Sequence, residues 1–108
     1  MITESGDDRG YVRPMVTVKD NPEQRRYEAF VDGEIAGHTE YYPHGEYVIF
    51  PHTVVDPEFG GQGVASTLIK EALDDMRAQG KLIDPQCPFV RAFIDKHAEY
   101  ADLVWHKS

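Results

Sequence analysis

Cysteine is nearly absent from the sequence, because Cys87 is the only one among 108 residues. A lone cysteine forms no disulfide within the chain and supplies too few thiolates for a cysteine-based metal site. No apolar run approaches the ~20 residues that cross a bilayer. Residues 1–8 also lack the basic and then apolar pattern of a secretory signal. These absences favour a reducing compartment, and we expect a cytoplasmic protein.

Basic residues are also few: 11 Lys and Arg stand against 19 Asp and Glu, for a net charge of -8. This charge repels the phosphates of nucleic acids and anionic membranes, so we predict neither as a partner. It suits a cationic partner such as a small amine or a lysine-bearing peptide, although acidic surfaces are also common for solubility alone. An anionic ligand would need local donors such as backbone amides.

Length and composition predict one domain with a packed core, since 41% of the residues are hydrophobic and 28% are charged. Residues 1–13 mix Asp, Gly, Arg and Ser with little apolar periodicity, which predicts a flexible N-terminal arm. The single domain is therefore expected to occupy residues 14–108.

The first half of that domain predicts an antiparallel meander. Its β-rich runs are residues 15–19, 27–31, 34–42 and 47–55. Asp32-Gly33 is a strong hairpin signal between the second and third runs. Pro51 interrupts the fourth run, which indicates a bulge or bend there.

The second half changes from a period of two to a helical period. Apolar residues recur at three and four from Val64 to Met76, Gly80 suits a helix end, and Leu82-Ile83 begin a fifth strand. A strand, helix, strand crossover is right-handed and makes its two strands parallel. We therefore predict an α+β fold in which an antiparallel meander is followed by a β-α-β crossover, with a mixed sheet and helices on its faces. His52, the glycine turn and Cys87 should then share one end of the sheet, where ligands usually bind.

The glycine turn at the start of the helix is the first chemical feature. Gly60, Gly61 and Gly63 allow close approach of the backbone to a ligand, and the first helical N–H groups are unpaired. Together they predict an anion cradle. The alternative is a flexible turn before a helix; a Walker sequence is excluded, because no Lys-Ser or Lys-Thr follows the glycines.

Four segments, in this order and spacing, resemble the GCN5-related N-acetyltransferases and, within them, a minimal subgroup with a Cys-Pro-Phe motif. The segments are HTVVDPE at 52–58, GGQGVAS at 60–66, PQCPFV at 85–90 and HAEYADL at 97–103. The resemblance implies acetyl-CoA as the co-substrate and, as the fold, a mixed sheet like that of the GCN5-related N-acetyltransferases (GNAT).

The resemblance also implies where coenzyme A binds. Its diphosphate would lie on the glycine turn and helix start, and its pantetheine arm would pair with the backbone of Val54 and Val55 between the fourth and fifth strands. The residues implied at the turn are Gly60, Gly61, Gln62, Gly63, Val64 and Ala65. The family usually has Arg or Gln where this chain has Gly60, so one side-chain contact is missing, and Gln62 is a candidate to replace it.

Cys87 and His52 are the candidate catalytic residues. Because Pro88 suits the first position of a helix, Cys87 is predicted to cap the helix from Phe89 to Lys96, where the positive helix end favours a thiolate. The alternative is a small buried thiol without reactivity. His52 is placed to accept a proton from an attacking amine, or else is a buried histidine held by a carbonyl.

The predicted function is acetyl transfer to an unidentified amine, either directly with His52 as base or through an acetylated Cys87. Two other classes stay open: a CoA-binding or interaction module without turnover, and a structural domain with a glycine-rich turn. No ligand spacing relates the remaining histidines, so no metal site is predicted. These histidines are His38, His44, His97 and His106.

Overall fold

A computed structural model describes residues 15–60 and 63–106. Its strands are β1 (Val16–Asn21), β2 (Arg26–Val31), β3 (Glu34–Glu40), β4 (Tyr42–His44), β5 (Tyr47–Phe50), β6 (Thr53–Val55) and β7 (Leu82–Pro85). The helices are α1 (Val64–Ala78) and α2 (Pro88–Lys96), and short 3-10 segments cover Pro57–Phe59 and Ala98–Leu103. The predicted arm, residues 1–13, lies outside the described residues. In the described part, no helix has the length and apolar character needed to cross a membrane.

The strands form two sheets, which confirms the α+β class. One sheet has the antiparallel order β1-β2-β3-β6, and the other has the order β4-β5-β7. The predicted crossover is confirmed, because β5 and β7, which precede and follow α1 in the chain, pair in parallel. Tyr47 lies opposite Leu82, and Phe50 lies opposite Pro85.

The prediction of one strand over residues 47–55 is wrong. Residues Pro51 and His52 interrupt it, so that β5 belongs to one sheet and β6 to the other. Pro51 has no N–H to continue the ladder, and the chain changes partner at this point. The predicted strand 34–42 is likewise divided, since β3 ends at Glu40 and β4 begins at Tyr42.

Helix α1 covers the inner face of the sheets with the apolar stripe that its period predicts. The buried residues of the stripe are Val64, Leu68, Ile69, Ala72, Leu73 and Met76. The helix ends before Gly80, whose φ of 70° is the left-handed conformation predicted for it. Hydrogen bonds from Tyr27 to Asp75 and from Tyr100 to Asp74 attach the polar side of α1 to its surroundings.

Gly37 fixes how closely β3 approaches β6. It lies opposite Val55 in the β3–β6 ladder, and a Cβ atom built on it would be 2.6 Å from the backbone oxygen of Val54. Since no real Cβ atom comes so near a backbone oxygen, any side chain at this position must push the strands apart.

We therefore expect Gly37→Ala to destabilise the fold by about 1–3 kcal/mol, the usual cost of overpacking. The measurement is urea denaturation followed by circular dichroism. Glu34→Ala, an exposed position of the same strand, is the control and should change stability by less than about 0.5 kcal/mol. Equal midpoints for the two variants would contradict the β3–β6 packing described here.

Candidate functional site

The start of α1 is open to an anion. Gly63 precedes it with a φ of 75°, no side chain among residues 15–60 and 63–106 caps the helix, and the first turn has no acidic residue. The backbone N–H of Thr67 bonds the Gly63 carbonyl. By helix geometry the N–H groups of the turn before it, Val64 to Ser66, have no acceptor within the helix. These donors and the helix dipole favour negative charge here.

A cavity of about 290 Å³ lies directly against this helix start. Its walls come from the end of β6, the 3-10 segment, the first turn of α1 and one aromatic ring of α2. The lining residues are Val55, Asp56, Pro57, Phe59, Gly60, Gly63, Val64, Ala65, Ser66 and Phe89. Five predicted cofactor-binding residues are among them, while Gly61 and Gln62 lie outside the described residues.

Gly60 contributes differently from the prediction of an anion cradle. Its own N–H donates to the Pro57 carbonyl at 3.1 Å, and its φ of -63° is accessible to any residue. Gly60 therefore closes the 3-10 segment and leaves Gly63 as the described glycine whose left-handed conformation the turn requires.

The outer edge of β6 offers backbone groups to a ligand. β6 is the last strand of its sheet, so only the edge that faces β3 is paired. On that edge the His52 carbonyl accepts from the Glu40 N–H, and the Asp56 N–H donates to the Ala36 carbonyl. Because backbone groups of alternate residues point the same way, those of Thr53 and Val55 face away from β3. The backbone of Val54 is turned towards β3, and its side chain, 45% exposed, lines a neighbouring cavity of about 340 Å³.

Cys87 occupies the predicted cap position of α2, with Pro88 at the first helical position. Its N–H donates to the Phe50 carbonyl at 2.9 Å, and its thiol lies 3.2 Å from the Thr53 hydroxyl, to which it donates. The residue is only 1% exposed. The thiol is therefore buried, as the alternative interpretation expected, but it has a polar partner in β6.

Thr53 extends this contact into the sheet. Its hydroxyl is 2.8 Å from that of Thr39, which is completely buried. Thiol and hydroxyls thus form a chain of three polar groups on the inner side of β6, which the sequence analysis did not identify. The signal available was the two threonines in predicted strands, but only the register places them opposite each other.

His52 directly precedes β6, and its side chain lies on the face opposite to that of Thr53. Its side chain is 57% exposed, and its Nε2 atom is 3.2 Å from Oε2 of Glu40. The alternative of a buried imidazole held by a carbonyl is thus not what the structure contains. Cys87 and His52 flank Thr53 on opposite faces, so the structure brings both near β6 without pairing them.

Glu40 also approaches a second imidazole that the sequence analysis set aside. Nε2 of His38 lies 3.6 Å from the same Oε2 atom. Burial and the positive charge of Arg26 lower the pKa of His38, although Glu40 acts in the opposite direction. His38, Glu40 and His52 are the one group of three candidate metal ligands found among the described residues.

Comparisons with known proteins agree with the fold. The family model described as GCN5-related N-acetyl-transferase matches residues 26–103. The solution structure of a GCN5-like putative N-acetyltransferase from Staphylococcus aureus is 21% identical with a TM-score of 0.63, over 85% of this chain and 90% of that one. No curated protein sequence matches significantly.

A second similar structure is ribosomal-protein-alanine N-acetyltransferase from Brucella melitensis biovar Abortus 2308. It is 21% identical with a TM-score of 0.54, and the match covers 77% of this chain and 62% of that one. The present chain thus spans less than two thirds of that protein. Likeness at these identities shows the fold alone, so the subgroup with a Cys-Pro-Phe motif stays a prediction.

The polar chain on the inner side of β6 predicts a coupled effect on stability. Thr53→Val leaves the buried Thr39 hydroxyl without this partner, which should cost about 1–3 kcal/mol. Adding Thr39→Val removes both hydroxyls, so the double variant should be less destabilised than the sum of the two single variants. Urea denaturation of all four proteins gives the coupling energy, and strict additivity would contradict the hydrogen bond.

Proposed function

Because the chain belongs to the GCN5-related N-acetyltransferase family, whose model matches residues 26–103, we propose that it transfers an acetyl group from acetyl-CoA to an amine. One observation carries this proposal: the uncapped, acid-free start of α1 opens on a cavity that continues to the free edge of β6. An anion and an extended amide chain, the two halves of coenzyme A, each have a complementary surface there.

The diphosphate is proposed to bind the amides of Gly63 to Ser66, together with Gly61 and Gln62 as the sequence predicts. The chain as a whole carries a net charge of -8, so an anion needs local N–H donors that offset this charge. The first turn of α1 has such donors and contains no acidic residue, while Asp56, which also lines the cavity, accepts a hydrogen bond from the Glu58 N–H.

The pantetheine arm is proposed to follow the outer edge of β6. Of the two predicted partners, Val55 has its backbone groups on that edge, and Thr53 is the next residue with the same orientation. An arm that runs from the start of α1 past Val55 reaches the neighbourhood of Thr53. The thioester would then lie close to Cys87 on one side and to His52 on the other.

In the direct reaction the amine nitrogen attacks the thioester carbonyl carbon, the C–S bond breaks, and coenzyme A leaves as the thiolate, which takes up a proton from water to give the thiol. His52 accepts the proton that the amine nitrogen loses. Its exposed imidazole is accessible from solvent, and the contact with Glu40 at 3.2 Å holds its orientation. The acidic surface favours a cationic amine or a lysine-bearing peptide as the acceptor.

In the alternative reaction Cys87 first takes the acetyl group and the amine then attacks the acetylated thiol. The thiol would have to lose its proton and leave its hydrogen bond to Thr53, and its 1% exposure requires the thioester to reach the interior. The exposed imidazole of His52 has neither constraint. We therefore propose the direct reaction with His52 as the base.

The two reactions predict different variants to be inactive. For direct transfer, His52→Asn should lower kcat about 100-fold or more, the usual contribution of a general base, while Cys87→Ala should keep most of the turnover. The assay is release of the CoA thiol with a panel of amines and peptides, after calorimetry confirms acetyl-CoA binding. His44→Asn is the control.

The opposite pattern, in which Cys87→Ala is inactive and an acetylated Cys87 is seen by intact mass in the wild-type protein, would contradict the direct reaction. Binding without thiol release for every acceptor would instead favour the CoA-binding module.

The proposed diphosphate site predicts opposite effects of one substitution on stability and binding. Ser66 is exposed in the first turn of α1 and lines the cavity. Ser66→Glu should stabilise the helix by about 0.3–1 kcal/mol through the dipole, yet weaken acetyl-CoA binding by repelling its diphosphate. Thermal melts and calorimetry measure the two effects, and Ser66→Gln is the uncharged control.

Acetyl-pantetheine, which has no diphosphate, should bind Ser66→Glu and wild type equally. Unchanged acetyl-CoA affinity in Ser66→Glu would show that the phosphates lie elsewhere.

A further inference from the structure

Three side chains of types that can ligate a metal converge on the outer face of the β3–β6 ladder. Oε2 of Glu40 lies 3.2 Å from Nε2 of His52 and 3.6 Å from Nε2 of His38. One ligand atom from each of the three residues falls within 4.8 Å of the other two. None of the steps proposed above uses His38, so acetyl transfer does not explain why this third side chain lies beside Glu40.

Backbone register produces this arrangement. His38 and Glu40 are alternate residues of β3 and therefore lie on one face, and the backbone hydrogen bond from Glu40 to the His52 carbonyl places His52 directly across from Glu40. The buried Thr39 between them points to the opposite face, where it meets Thr53. His38 and Glu40 are thus held in β3, and His52, which directly precedes β6, is attached to β3 by the backbone hydrogen bond from Glu40.

The distances fit a shared cation better than a set of hydrogen bonds. A separation of 3.6 Å between His38 and Glu40 is too long for a hydrogen bond. In a tetrahedral zinc site, with Zn–N and Zn–O bonds of about 2.1 Å, neighbouring ligand atoms lie about 3.4 Å apart. The two separations from Glu40, 3.2 Å to His52 and 3.6 Å to His38, lie on either side of this value. The imidazole of His52 is exposed, so it can rotate towards His38.

The charges around the cluster also permit a dication. Arg26 of β2 lies opposite Glu40 of β3, and the Arg26 guanidinium forms an ion pair with the Glu28 carboxylate at 2.7 Å. Glu28 is only 7% exposed and receives a second hydrogen bond from Asn21. Because both Arg26 and Asn21 donate hydrogen bonds to this carboxylate, Glu28 offsets the charge of the guanidinium. Glu40 then remains as the net negative charge of the cluster.

We propose that His38, Glu40 and His52 form a zinc site with two imidazole ligands and one carboxylate ligand, with a fourth position left to water. Two histidines and one carboxylate are a common ligand set for zinc, and three protein ligands leave the site open. An imidazole that holds zinc at Nε2 cannot accept a proton there. Zinc bound to His52 would therefore block the proposed general-base role of this residue, so acetyl transfer through His52 belongs to the metal-free chain.

The test is metal binding by the untagged chain of 108 residues. Calorimetry with ZnCl₂ should give one site per chain, and Co²⁺ should give the visible absorption of a tetrahedral site without a thiolate-to-metal band, because Cys87 lies on the opposite face. Each of His38→Asn, Glu40→Gln and His52→Asn should weaken binding about tenfold or more, which is at least the effect of losing an outer-shell partner.

Two matched variants distinguish this site from binding elsewhere. His44→Asn removes a histidine that stacks on Tyr47 outside the cluster, and Cys87→Ser removes the thiol; both should bind zinc as the wild type does. Thermal melts without metal check that the variants are folded. The proposal is overturned if the wild type does not bind zinc, if His38→Asn binds it unchanged, or if Cys87→Ser loses it.

Discussion

Between Phe50 and Thr53 the chain leaves one sheet and joins the other. Up to Phe50 it pairs in parallel with β7, and from Thr53 it pairs with β3, because Pro51 has no N–H with which to continue the first ladder. The new strand is therefore bound on one side only, and its outer edge faces the start of α1. The free edge of β6 and the cavity beside it follow from this change of partner.

The short strand that results separates two kinds of polar chemistry. On its inner side, the hydroxyls of Thr39 and Thr53 and the thiol of Cys87 form a buried chain. On its outer side, two imidazoles meet the Glu40 carboxylate within reach of solvent. Because the two groups lie on opposite faces of β6, substitutions can perturb one and leave the other intact, which makes the roles of Cys87 and His52 separable by experiment.

Local sequence patterns predicted the parts of the fold that local physics determines. The helical period gave α1, Pro88 gave the cap position of Cys87, and the crossover rule gave the parallel pairing of β5 with β7. The break at Pro51 was expected as a bend, but the transfer to a second sheet was not, since it depends on which partner strand is available. A pattern along the chain contains no information on that choice.

The site was predictable to a similar extent. Gly63, Val64 and Ala65 lie where the glycine turn indicated, because a positive φ and unpaired N–H groups are local properties. The cluster of His38, Glu40 and His52 was missed, since its members are brought together by strand register rather than by spacing. For the same reason the register, and not the resemblance, indicates that Val55 rather than Val54 presents its backbone to the open edge.

The central claim is that coenzyme A binds between the first turn of α1 and the free edge of β6. An NMR titration of the ¹⁵N-labelled chain with acetyl-CoA tests it residue by residue. The account predicts that the largest amide shifts occur at Val64, Ala65 and Ser66 and at Val55, with small shifts in β1. Saturable shifts confined to other surfaces, or none at a large excess of acetyl-CoA, would contradict it.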